Sequence, residues 1–181
     1  FFTLLSMILS RFISAFGADA IAVNRVGTQI ESLSWLISGG FSTAITAFVG
    51  QNYGAAKWGR IRQGIRLSSA AMFIWGVAVS LLLYFFGSYL FRIFLSEAKL
   101  VEMGADYLRI LALCQRPCTL GGIGGGAFRG IGRTLPPSIA SITVNAARVL
   151  IAYFLSLSRG LNGIWLGITI GATSRGVWIY I

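Results

Sequence analysis

Along this chain, apolar runs long enough to cross a bilayer alternate with short stretches rich in Gly, Asn, Gln and basic residues. A helix needs about 20 apolar residues to span the hydrocarbon core. The pattern predicts six helices, over about 1–16, 20–49, 65–91, 103–128, 137–158 and 164–181. Gly17-Ala18-Asp19 reads as a tight connection after the first, and GQNYGAAKWGRIRQG, residues 50–64, as an interfacial loop. A mixed polar break over 88–102 follows the third helix. The fourth carries Pro117, where a kink is expected, and the glycines 121, 122, 124, 125 and 126, which membranes tolerate better than water does. RGIGRTLPP, residues 129–137, reads as a loop whose paired prolines open the fifth helix. Arg159-Gly160 and Asn162-Gly163 make the last turn.

Composition agrees with that pattern. Hydrophobic residues are 56% of the chain and charged residues 11%, against about 25% charged in soluble domains; mean hydropathy is +0.78. The expected class is therefore an all-α, polytopic transmembrane bundle. A net charge of +10 in a soluble protein would suggest nucleic acid, but here the basic residues sit in loops and carry topology instead. Lys57, Arg60, Arg62 and Arg66 after the second helix, and Arg129 and Arg133 after the fourth, lie in stretches without an acid. Residues 51–63 and 129–137 are accordingly placed in the cytoplasm, and no nucleic-acid partner is expected. The first residues are apolar at once, without the basic region and cleavage site of a signal peptide, and the last lie in an apolar run, so the chain is read as a fragment.

Little in the sequence supports catalysis. There is no His, no carboxylate pair at short spacing and no Cys cluster, which removes the usual materials for zinc hydrolysis or imidazole acid-base work. Cys114 and Cys118 are the only thiols and are read as small packing residues. No enzyme activity, catalytic residue, metal site or organic cofactor is expected.

Two loops carry a family likeness. FVGQNYGAAKWGRIRQ, residues 48–63, resembles the VGQxxGA signature of multidrug and toxic compound extrusion (MATE) transporters. AFRGIGRTLPPSI, residues 127–139, looks like the LRGxGDTxxP element of that family, with Arg133 where the acidic residue usually stands. The resemblance implies twelve helices in two six-helix lobes, of which this chain is similar to one. NGIWLGI, residues 162–168, looks more like the end of the C-terminal lobe. It further implies a multi-pass protein of the cell membrane that exports amphipathic, often cationic small molecules, with a proton or Na+ as the coupling ion. Its implied partners are substrate, membrane lipid and the other lobe of the same parent chain. The alternatives are a lipid-linked oligosaccharide flippase of related architecture, favoured by the intramembrane arginines, and a non-transporting membrane scaffold.

Glu31 is the residue singled out for chemistry. It lies about a dozen residues into the second helix, where an ionised carboxylate costs several kcal/mol unless paired or neutralised. It can couple ion binding to a conformational change or hold helices together by pairing with Arg11, Arg25 or Arg148. Asn24 and Gln29 share its helix and can contact substrate or a neighbouring helix. Trp35, one turn beyond Glu31, has a positional argument for an aromatic cavity wall. Asn145 and Arg148, inside the fifth helix, are further cavity candidates, with Arg148 either an anion contact or the counter-ion of Glu31. Asp106 is a weaker candidate: a carboxylate at a helix N-terminus is explained by the macrodipole, although the resemblance implies an acidic residue of this helix in cation binding.

Overall fold

The computed structural model describes residues 2–178, which form six helices joined by short turns: α1 (Phe2–Ser14), α2 (Ala18–Gly54), α3 (Trp58–Phe94), α4 (Ala98–Ala112), α5 (Gln115–Gly130) and α6 (Leu135–Trp178). Three of them contain stretches long and apolar enough to cross a membrane, Ala18–Gly54, Trp58–Phe94 and Leu135–Ser174. At 37 residues each, α2 and α3 are about 55 Å long, so their polar ends project beyond a hydrocarbon core of about 30 Å.

That projection corrects the reading of residues 50–64 as a loop. α2 runs to Gly54 and α3 starts at Trp58, leaving only a turn at 55–57 between them. The glycines and basic residues there interrupt the hydropathy without interrupting the helix, because each backbone group finds its partner within the helix and the polar side chains reach water. The fourth helix likewise starts earlier than its hydropathy, at Ala98.

The fourth helix is also broken, between Ala112 and Gln115, slightly ahead of the kink expected at Pro117. Pro117 falls in the first turn of α5, where a missing N–H costs no hydrogen bond. α4 and α5 still act as one column beside α2. The polar contacts Lys99–Asp19, Ser34–Gln115, Ser42–Gly122 and Thr46–Gly126 join residues 80 or 81 apart, so α2 and the α4–α5 column run parallel in constant register. α3 runs antiparallel to the column: Ser80 Oγ donates to the Ala112 carbonyl at 2.7 Å, and Thr119 Oγ1 to the Met72 carbonyl at 3.0 Å.

α6 is a hairpin. Gly160 has φ 58° and ψ −135°, outside the helical region and within the left-handed range that favours glycine. The two arms then pack antiparallel: Gly167 lies against Ala152 and Gly171 against the stem of Arg148. Of the expected turn, Gly160 breaks the helix, whereas Asn162-Gly163 is helical and Gly163 serves close approach to the Leu155 backbone.

Small residues set how closely these columns meet. A Cβ on Gly126 would stand 2.6 Å from the Ser42 carbonyl oxygen, and one on Gly121 would stand 2.9 Å from the Cα of Gly176. Ser42 Oγ donates to the Gly122 carbonyl at 2.7 Å and Thr46 Oγ1 to that of Gly126 at 3.1 Å. Without water as an alternative partner, close backbone packing and such bonds are what hold membrane helices together. The largest apolar core, around Phe91, Leu108, Leu111, Tyr107 and Trp165, lies where α3, α4 and the second arm of α6 meet.

Candidate functional site

On α2, Asn24, Thr28, Glu31 and Trp35 recur at spacings of four, three and four, which places them on one helix face. That face looks into a cavity of about 460 Å³ closed by α1, the α4–α5 column and both arms of α6. Ser6 and Ser10 come from α1, Tyr107 and Cys114 from the column, and Asn145 and Arg148 from the first arm of α6. The cavity therefore gathers Asn24, Glu31, Trp35, Asn145 and Arg148, although α2 and the first α6 arm are far apart in sequence.

Glu31 is half-buried and addressed by two groups. The indole Nε1 of Trp35 donates to its Oε1 at 2.9 Å. The guanidinium of Arg148 lies near enough for its charge to act on the carboxylate. Of the three arginines considered as counter-ion, Arg148 is the one that shares the cavity; Arg11 and Arg25 are exposed and do not line it. Gly171 positions Arg148: a Cβ there would stand 2.7 Å from the Cβ and Cγ of the arginine, so its absence lets the stem lie flat on the opposing arm. Asn145 Nδ2 donates to the Ser141 carbonyl at 2.6 Å.

Tyr107 forms the floor. Its ring covers Gly27, where a Cβ would collide with the ring edge, and it meets Trp165 edge-on at 5.1 Å between centroids. Cys114 lines the cavity with its thiol donating to the Leu111 carbonyl at 3.2 Å, so it has a wall position besides the packing role read from sequence.

Two candidates lie elsewhere. Gln29 is exposed and does not line the cavity, since two residues from Glu31 is more than half a turn around the helix. Asp106 pairs with Arg109 at 3.1 Å and lines a separate cleft with Arg159 and Asn162, near the hairpin turn of α6. Ser6, Ser10, Thr28 and Tyr107 belong to the cavity but were not picked out from sequence. The four-residue spacing of Ser6 and Ser10, and the position of Thr28 one turn before Glu31, were the available signals; Tyr107 had none, because a buried aromatic reads as core.

Residues 1–154 match the family model MatE. The chain belongs to the MatE family. Within it, 158 residues are 35% identical to a probable multidrug resistance protein NorM of Thermotoga maritima, covering 83% of this chain and 33% of that one. A protein of Shewanella oneidensis described as an FAD transporter is 24% identical over 172 residues, covering 90% and 36%. The chain thus spans about a third of the length of these curated relatives. Its fold superposes on an outward-facing multidrug resistance MATE family transporter with a TM-score of 0.90 at 17% identity, over 98% of this chain and 40% of that one. A Pyrococcus furiosus transporter of the MOP superfamily, described as having a binding pocket of reversed polarity, superposes with a TM-score of 0.88 at 20% identity, over 98% and 41%. The MatE chain is thus an all-helical membrane bundle corresponding to one lobe of the twelve-helix MATE architecture.

Proposed function

We propose that this MatE chain is one lobe of a cation-coupled antiporter of the plasma membrane that exports amphipathic, often cationic compounds, with Glu31 as the coupling carboxylate. The observation that carries this reading is the convergence of Glu31 and Trp35 from α2 and Arg148 from α6 on one cavity, with Asn24 and Asn145 beside them. A carboxylate inside a membrane bundle is retained at a cost; here it has a donor, a cation and open volume next to it rather than close-packed neighbours.

The coupling follows from differential interaction in two states. With no ion bound, the carboxylate is held by the Trp35 N–H and feels the charge of Arg148 across the cavity. A proton or Na+ entering the cavity competes for the same oxygens, loosening Glu31 from Arg148 on the first arm of α6. α2 and that arm are thereby biased toward a different relative position, and rocking of two lobes around a central cavity turns the bias into export. Asn24, Asn145 and Trp35 supply the polar and aromatic contacts on the substrate side.

The test is efflux of a fluorescent amphipathic cation from vesicles holding the full-length transporter, under an imposed proton or sodium gradient, with Glu31 intact and with Glu31→Gln. Loss of gradient-driven efflux at unchanged protein level and folding is expected. Undiminished efflux in the variant would return Glu31 to a packing role. No efflux from the unmodified protein under either gradient would favour an anionic substrate, such as the lipid-linked oligosaccharides of a flippase, for which Arg148 would be the contact.

A further inference from the structure

At the α2–α3 turn the chain carries a second feature, separate from the Glu31 cavity. Lys57, Arg60, Arg62 and Arg66 are all exposed. The sequence holds no acid between Glu31 and Glu97, and the ion pairs among the described residues, Lys99–Asp19 and Arg109–Asp106, involve none of these cations. Beside them opens a groove of about 500 Å³ between α2 and α3. Phe41, Ala44 and Phe48 line it from α2 and Leu67 from α3, while Arg60 and Gln63 stand at its turn-proximal end. Gly64 admits the Phe48 ring, with 2.8 Å between a Cβ built there and Cδ1 of the phenylalanine.

The depth of the groove is marked independently. Tyr53 and Trp58, 44% and 55% exposed, meet edge-on at 5.2 Å at the same end, and exposed Trp and Tyr at a helix end sit at the headgroup level of a bilayer. Arg60 is two residues beyond Trp58, whereas Leu67 lies seven residues further, about 10 Å deeper along the helix. The groove therefore starts among headgroups, with a guanidinium and an amide, and continues into the hydrocarbon with aromatic and aliphatic walls.

We propose that this groove binds an anionic phospholipid, its phosphate held by Arg60 and Gln63 with Lys57 alongside, and one acyl chain lying along Phe48, Ala44, Phe41 and Leu67. Charge complementarity selects the occupant. A cationic cluster beside a membrane span attracts anionic headgroups, whereas the ammonium of a zwitterionic lipid would meet Lys57 and Arg62. The bound lipid would tie the α2–α3 turn to one leaflet, whatever the transported substrate.

Native mass spectrometry of the full-length transporter, released from detergent with equal phosphatidylglycerol and phosphatidylcholine, tests this. The unmodified protein is expected to retain phosphatidylglycerol preferentially, on the order of tenfold for a pair of cations at the surface. Lys57→Gln with Arg60→Gln should bring the two lipids to near parity. Ala44→Trp, which fills the groove and leaves every charge in place, should lower phosphatidylglycerol retention as well; Leu67→Trp repeats that test from the opposite wall should Ala44→Trp fail to fold. Equal retention of both lipids by the unmodified protein would overturn the proposal. So would a preference that survives groove filling, which would mean diffuse attraction to the turn, and so would retention of neither lipid, which would mean that the protein itself covers the groove.

Discussion

The Trp35 indole donates a 2.9 Å hydrogen bond to the Glu31 carboxylate one helical turn before it. The bond lies along the cavity wall and points the carboxylate into the volume shared with Arg148. Hydrogen bonds to charged groups are worth about 1.5–3 kcal/mol, so Trp35→Phe should slow gradient-driven efflux by roughly tenfold or more while the protein stays folded. In a Glu31→Gln background the same change should add little, because the two residues act as a pair. Efflux rates of the two single variants and the double variant measure this; additive losses would separate Trp35 from Glu31.

Tyr107 covers Gly27 so closely that no side chain fits between them. Gly27→Ala should lower the unfolding midpoint of the purified protein, consistent with about 1–3 kcal/mol for overpacking. The loss should shrink in a Tyr107→Ala background, giving a coupling of about 0.5–3 kcal/mol for residues in direct contact. An equal effect of Gly27→Ala in both backgrounds would show that the glycine serves something other than the tyrosine.

Two glycines of different surroundings should respond in opposite directions. Gly126 has the Ser42 carbonyl oxygen 2.6 Å and Ile45 Cγ2 2.5 Å from a Cβ built on it, whereas Gly39 has nothing within 4 Å. Gly126→Ala should force α5 away from α2 and destabilise the bundle. Gly39→Ala, relieved of the entropy cost of glycine in a helix, should hold or raise the midpoint, for a stability gain of up to about 1 kcal/mol. Thermal unfolding in one detergent compares them directly.

Lys99 at the start of α4 donates to Asp19 at the start of α2 at 2.7 Å. That hydrogen bond, together with the charges of Asp19 and Glu97, raises the lysine above its ordinary value. A raised lysine contributes fully below its unfolded pKa of about 10.4 and loses the contribution as pH climbs through the folded value. Lys99→Met should therefore lower the unfolding midpoint slightly at pH near 7, and the difference from the unmodified protein should close in strong alkali. A difference that stays constant with pH would assign the loss to packing of the lysine stem.

The sequence by itself determined the class of this protein, an all-helical membrane bundle, and the helix that carries Glu31 and Trp35. Both depend on local order: the length of the apolar runs, and the four-residue spacing that puts Glu31 and Trp35 on one helix face. It misplaced helix ends, because at residues 50–64 hydropathy falls where the helix leaves the hydrocarbon rather than where the backbone ceases to be helical. Only the tertiary structure decided which arginine faces Glu31, because Arg148 reaches the cavity through its packing on Gly171 across the α6 hairpin. It likewise decided that Tyr107 is a cavity wall and that Gln29 and Asp106 are not. Such relations join residues far apart in sequence through the constant register of α2 beside the α4–α5 column, and that register is set by small residues whose role appears once the helices are packed together.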